Sequence, residues 1–147
     1  MKNRSERLSP VLKLEKMKEE QAVKVYAQSN SKLQLELQKL EQLLSYSREY
    51  ELMIVQAGRA GLYATQLHSY HHFLARLNHA IGQQREQIVL VKQRTKQHQE
   101  SWLHQRGATQ NMGKLISRCA SQERQEQDKK EQRAMDEYAQ QSRSAHH

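Results

Sequence analysis

Between Leu12 and Gln141 the chain contains no proline, and its one tight cluster of helix-weakening residues is Gly58-Arg59-Ala60-Gly61. On both sides of that cluster apolar residues recur at alternating three- and four-residue spacing, the period of a helix that buries one stripe. The pattern predicts an all-α fold: two long helices forming an antiparallel coiled-coil hairpin. A single coiled-coil domain spans 1–147 on this reading, with helices at about 9–57 and 65–142, a bend at about 58–64 and frayed ends. A rod of this kind can bind, space or transmit, but has almost nowhere to enclose an active site.

Composition agrees with a thin seam. Hydrophobic residues make up 36% of the 147 and aromatics 5%, and mean hydropathy is −1.02. A compact globule needs a richer apolar inventory, and a disordered chain does not keep Leu, Ile and Val in register. The 21 glutamines suit exposed helical faces without adding charge. Formal net charge is +8, and the excess is spread along the chain. It fits nucleic acid, anionic lipid or an acidic protein; a protein partner is favoured, because no aromatic-basic nucleic-acid module is present. A lone Cys119 excludes an internal disulfide framework. The charged start and the lack of a span-length apolar run predict a cytoplasmic protein without signal peptide or membrane span.

Along the first arm, Ser9 and Pro10 form a credible helix start, as cap and first helical residue. The clearest seam is Leu33, Leu37, Leu40 and Leu44, extended upstream through Asn30, Tyr26 and Ala22. The second arm carries Leu67, Tyr70, Leu74, Leu77, Ile81, Ile88 and Val91. Folding at Gly61 sets Leu44 opposite Leu77, Leu40 near Ile81 and Leu33 near Ile88. The arms would measure about 70 and 110 Å at 1.5 Å per residue, so the second must overhang or break. A break is expected between residues 107 and 113, where Gly107 and Gly113 each cost about 1 kcal/mol relative to alanine. Residues 121–143 read as a solvated helix that firms up against a partner.

A second apolar stripe flanks the bend: Leu43, Tyr46, Tyr50 and Met53 on the first arm, with Phe73, Leu77, Ala80 and Gln84 on the second. Two helices cannot bury two stripes each, so this one is expected to remain open as a docking face rather than thicken the core. His68, His71 and His72 share a helix face, but no nearby carboxylate or cysteine completes a metal set. Cys119 has no base beside it and reads as a seam filler. No phosphate-binding glycine loop or paired carboxylates are present, so no catalytic residue, metal or cofactor is assigned.

Three segments in order around the bend carry a family likeness. They are Gln42-Leu43-Leu44-Ser45-Tyr46-Ser47-Arg48-Glu49-Tyr50, then Tyr70-His71-His72-Phe73-Leu74 with Leu77, Ala80 and Ile81. The third is Asp128-Lys129-Lys130 leading to Met135-Asp136-Glu137-Tyr138-Ala139-Gln140. From about Leu12 to Gln141 the chain resembles the FliJ family, coiled-coil proteins of the flagellar type III export apparatus. The resemblance implies a non-catalytic stalk that contacts the hexameric export ATPase FliI and the export-gate protein FlhA and cycles export chaperones. It implies a protein peripheral to the inner membrane through its protein partners, at the flagellar base, without nucleic-acid binding. Carried over by position, the gate-binding face comprises Leu43, Tyr46, Tyr50, Phe73, Leu77 and Ala80, with Lys39 and Gln84 at its margins. The ATPase-binding positions fall at Leu12, Met135, Asp136 and Tyr138. Competing readings are a basic coiled coil that binds nucleic acid, a general tether, and the analogous stalk of a virulence secretion system.

Overall fold

The computed structural model describes residues 3–61 and 64–145, which form two helices, α1 (Arg4–Arg59) and α2 (Ala64–Ala145). They pack against each other as an all-α hairpin, and no strand occurs among the described residues. Packing divides the chain into two compact units: Ala22–Ser101, which contains the bend, and Met1–Gln21 with Trp102–His147. We refer to them as the bend unit and the terminal unit.

α1 ends at a glycine cap. The Ala60 N–H donates to the Gln56 carbonyl at 3.0 Å and the Gly61 N–H to the Gly58 carbonyl at 3.4 Å. Gly61 takes φ 76°, the left-handed conformation that a side chain disfavours. Residues 62–63, within the expected bend, lie outside the described residues.

Burial on α1 follows a strict heptad. Ser5, Leu8, Leu12, Glu15 and Glu19 are at least half-buried in the terminal unit, as are Ser29, Leu33, Glu36, Leu40, Leu43, Ser47, Tyr50 and Ile54 in the bend unit. The matching row on α2 includes Tyr70, Leu74, Leu77, Ile81, Gln84, Ile88, Val91 and Thr95 in the bend unit. It continues through Gln105, Thr109, Met112, Ile116 and Cys119 in the terminal unit. Val91 is the most enclosed large side chain, at 1% exposure, and its burial contributes on the order of 1.5–3 kcal/mol.

Several expectations are corrected. α1 begins at Arg4, with Pro10 inside it. Contacts of Ser5 with Glu123 on α2 carry the helix past the missing proline donor. Asn30 is exposed rather than on the seam. The leucines at 37 and 44 flank the seam, whose own positions are Glu36 and Leu43. Ser29 faces Thr95, and two heptads further along each helix Glu15 faces Thr109. This register sets Leu33 level with Val91 and Leu43 level with Ile81, about one helical turn from the expected pairing.

α2 runs unbroken through Gly107 and Gly113. The seam residues Gln105, Thr109 and Met112 supply contacts that outweigh the glycine propensity cost. A Cβ at Gly107 would meet nothing within 4 Å. Gly107→Ala is therefore expected to stabilise the protein by about 1 kcal/mol, read as a higher midpoint in a thermal melt followed by circular dichroism. From Arg124 to Ala145 every residue of α2 is exposed, matching the solvated helix read from the sequence.

Candidate docking surface

Polar layers interrupt the seam of each unit, and they position everything around them. In the bend unit the Gln84 amide donates to both the main-chain carbonyl of Glu36 at 2.9 Å and its carboxylate at 2.6 Å. Lys39 closes on the same carboxylate at 3.6 Å. The terminal unit repeats the device three heptads along each helix: Gln105 donates to the Glu15 carbonyl at 3.3 Å and to its carboxylate, while Lys18 lies 3.7 Å from that carboxylate. Ser29 and Thr95 share a hydroxyl hydrogen bond of 2.8 Å, and Ser47 donates to Asn78 at 3.4 Å. A polar seam layer lowers stability relative to an apolar one but specifies alignment, because a slipped register leaves it unpaired. Among the described residues no buried side-chain nitrogen or oxygen lacks a partner.

Two carboxyls are held below their ordinary value. The Gln84 hydrogen bond is the main cause for Glu36; it outweighs the opposing desolvation, and Lys39, by charge and hydrogen bond, and Lys32, by charge, add to it. Hydrogen bonds from Ser5 act likewise on Glu123. Their contribution to stability is complete above the unfolded value of 4.5 and is lost as pH falls through the lowered folded values. The melting midpoint is accordingly expected to stay level above about pH 5.5 and fall below about pH 4.5. Glu36→Gln should lower the midpoint at neutral pH and make the acid decline shallower, in melts repeated across that range.

Beside the seam near the bend lies an aromatic cluster. Tyr50 stacks on Phe73 with centroids 4.4 Å apart and meets Tyr70 edge-on at 6.3 Å. The Arg76 guanidinium lies 5.9 Å from the Phe73 centroid. Tyr46 is 54% exposed and Phe73 37%, and Met53 is also open on the Tyr46 row. The structure thus keeps Tyr46 and Phe73 at the surface, with Tyr50 half-buried beneath Phe73.

The other residues of the expected face are placed differently. Leu77, at 9% exposure, belongs to the core of the bend unit. Its seam position leaves almost none of its side chain for a partner. Leu43 is half-buried on the seam and Ala80 half-buried beside it. Gln84 is engaged by Glu36, and Lys39 is exposed at the edge of the same layer. In the terminal unit Leu12 is half-buried on the seam, whereas Met135, Asp136 and Tyr138 stand open on the exposed part of α2. His68, His71 and His72 are exposed, and no group of three metal-binding side chains converges among the described residues. Cys119 is buried on the terminal seam.

Sequence reasoning missed Glu36, Ser47, Ser29 and Thr95 as seam residues. The signal that finds them is the unbroken three-four spacing itself, followed through polar positions instead of stopping at leucines.

A model of the flagellar FliJ protein family matches residues 4–146, nearly the whole chain. The chain belongs to the flagellar FliJ protein family. FliJ proteins are non-enzymatic components of the flagellar export apparatus. Comparison with curated proteins and with solved structures returns no match. No helix among the described residues is long and apolar enough to cross a membrane.

Proposed function

We propose that this chain is a stalk and escort component of flagellar protein export, contacting the hexameric export ATPase FliI and the export gate FlhA and cycling export chaperones. The observation that carries this reading is the aromatic cluster of the bend unit. Tyr46 and Phe73 are exposed beside a seam that already buries Leu77, Ile81, Ile88 and Val91. Exposed, rigid aromatics held by a packed neighbour are the side chains that most often anchor protein interfaces.

On this reading Tyr46, Phe73 and the half-buried Tyr50 contact the gate, with Leu43 and Ala80 shaping the surface and Leu77 supporting it from beneath. Lys39 and Gln84 lie at its margin, where Glu36 holds Gln84 in place. The terminal unit meets the ATPase through Met135, Asp136 and Tyr138, while Leu12 acts by keeping α1 packed. The protein is then cytoplasmic and reaches the inner membrane at the flagellar base only through its protein partners.

The direct test is capture of purified FliI and of the purified cytoplasmic portion of FlhA by the full chain. Binding of both supports the reading. Failure to bind either one at micromolar concentrations removes it.

A further inference from the structure

The aromatic cluster is only one end of a longer edge of the bend unit. On α1 the row that leads away from Tyr46 in seven-residue steps holds Lys39 and Lys32. On α2 the row that leads away from Phe73 holds Ala80, Gln87 and Arg94. These rows flank the same edge of the seam. Phe73 stacks on Tyr50 at one end. At the other, Lys32, Arg94 and His98 line a common groove of about 300 Å³ whose floor includes Val25 and Val91.

The rows one step further outward add two exposed leucines, Leu35 at 58% and Leu90 at 49% exposure. The register of the seam sets them at the same level. Across residues 28–46 of α1 and 73–97 of α2, the flanking and next-outward rows of this edge contain no acidic residue. The first acid on these rows is exposed Glu49, one heptad beyond Gln42 at the aromatic end. Within the stretch that holds Lys32 and Arg94, the seam carboxylate of Glu36 is buried beneath Lys39 and hydrogen-bonded to Gln84. The edge thus combines Lys32, Lys39, Arg76 and Arg94 with exposed apolar side chains and uncharged glutamines.

We infer that this edge binds an acidic, amphipathic protein segment, whose carboxylates meet Lys32, Lys39 and Arg94 while its apolar side chains cover Leu35, Leu90 and the Tyr46–Phe73 patch. Charge complementarity selects that occupant. Lys32, Lys39 and Arg94, with no surface acid on their rows between residues 28 and 46 of α1, favour an anionic partner, and the interspersed leucines and aromatics reward one that also carries apolar side chains. A phosphate backbone would satisfy the cations and leave Leu35 and Leu90 uncovered. The inference rests on the reading of the aromatic patch as the gate-contacting surface and adds the chemistry of the segment that docks there.

The experiment compares three full-length proteins: the natural chain, Lys32→Glu with Arg94→Glu, and Tyr46→Ala with Phe73→Ala. Each is titrated with the purified cytoplasmic portion of FlhA at salt concentrations between about 50 and 300 mM, with far-UV circular dichroism confirming unchanged helicity. The natural chain should bind less tightly as salt rises. The charge-reversed chain should bind at least about tenfold more weakly at the lowest salt, with little further salt dependence.

Unchanged affinity in the charge-reversed chain, with loss in the aromatic variant, overturns the inference and leaves the gate reading standing. Unchanged affinity in both variants, or no binding by the natural chain, overturns both. A short DNA duplex is titrated in parallel. Duplex binding at physiological salt that is lost on charge reversal, with FlhA affinity unaffected, assigns the edge to nucleic acid and overturns the inference.

Discussion

Replacing Tyr46 and Phe73 together by alanine is expected to abolish gate binding and swimming while leaving the hairpin folded. Neither ring is needed to fill the seam: Tyr46 is mostly exposed and Phe73 sits outside the row of Leu74 and Leu77. Loss of the Phe73–Tyr50 stack costs on the order of 0.5–1.5 kcal/mol, small beside the seam. Truncating two central aromatic anchors removes on the order of 2 kcal/mol or more each from an interface. That corresponds to at least a hundredfold loss of affinity. The measurements are binding of the cytoplasmic portion of FlhA by calorimetry and motility in soft agar for a strain carrying the variant. Normal binding with normal swimming would remove the site. Arg76 beside Phe73 offers a milder comparison, since its guanidinium contacts the ring without anchoring it.

A charge at Val91 is expected to have the largest effect on stability. Val91 is 1% exposed, and the Thr95 hydroxyl donates to its carbonyl at 2.8 Å. An aspartate there would be desolvated among Ile88, Thr95 and Leu33, and Lys32 and Arg94, which line the groove above Val91, would offset only part of that cost. Val91→Asp should therefore cost roughly 2–4 kcal/mol. Val89→Asp, two residues away and 54% exposed, should change stability by less than about 0.5 kcal/mol. Denaturant melts of the two variants read the contrast directly. Equal effects would mean that the α2 seam is not where the burial pattern places it.

The broad architecture was legible because its signals are long and redundant. The absence of proline over α1 beyond Pro10 and over α2, the glycine pair at 58 and 61, and matching apolar rows all point to one hairpin. Boundaries were less legible. Pro10 and the glycines at 107 and 113 carry real propensity costs, and tertiary contacts of Ser5, Gln105 and Thr109 outweigh them. A seam traced through leucines alone is displaced from the one the structure shows. Leu37 and Leu44 are attractive core candidates, yet the strict heptad runs through Glu36 and Leu43, and Gln84 makes Glu36 acceptable there.

That displacement changes the candidate surface too. Once Leu43 and Tyr50 are recognised as seam residues, the second stripe narrows to Tyr46, Met53 and Phe73. Leu77 passes to the core. The cationic extension along Lys32 and Arg94 is only half legible in charge totals: residues 25–65 contain four basic and four acidic side chains, and residues 66–106 six and two. It emerges only when the register shows which charges share an edge.

The antiparallel hairpin of the bend unit is the central claim, and a distance across that unit tests it. Spin labels on Leu35→Cys and Leu90→Cys, with Cys119→Ser to remove the native thiol, sit on exposed positions at one level of the pair. Helix axes about 8–10 Å apart, with the reach of two label arms, predict a single distance centred at about 15–25 Å. A distribution centred beyond about 40 Å would contradict the hairpin and with it the surface built on it.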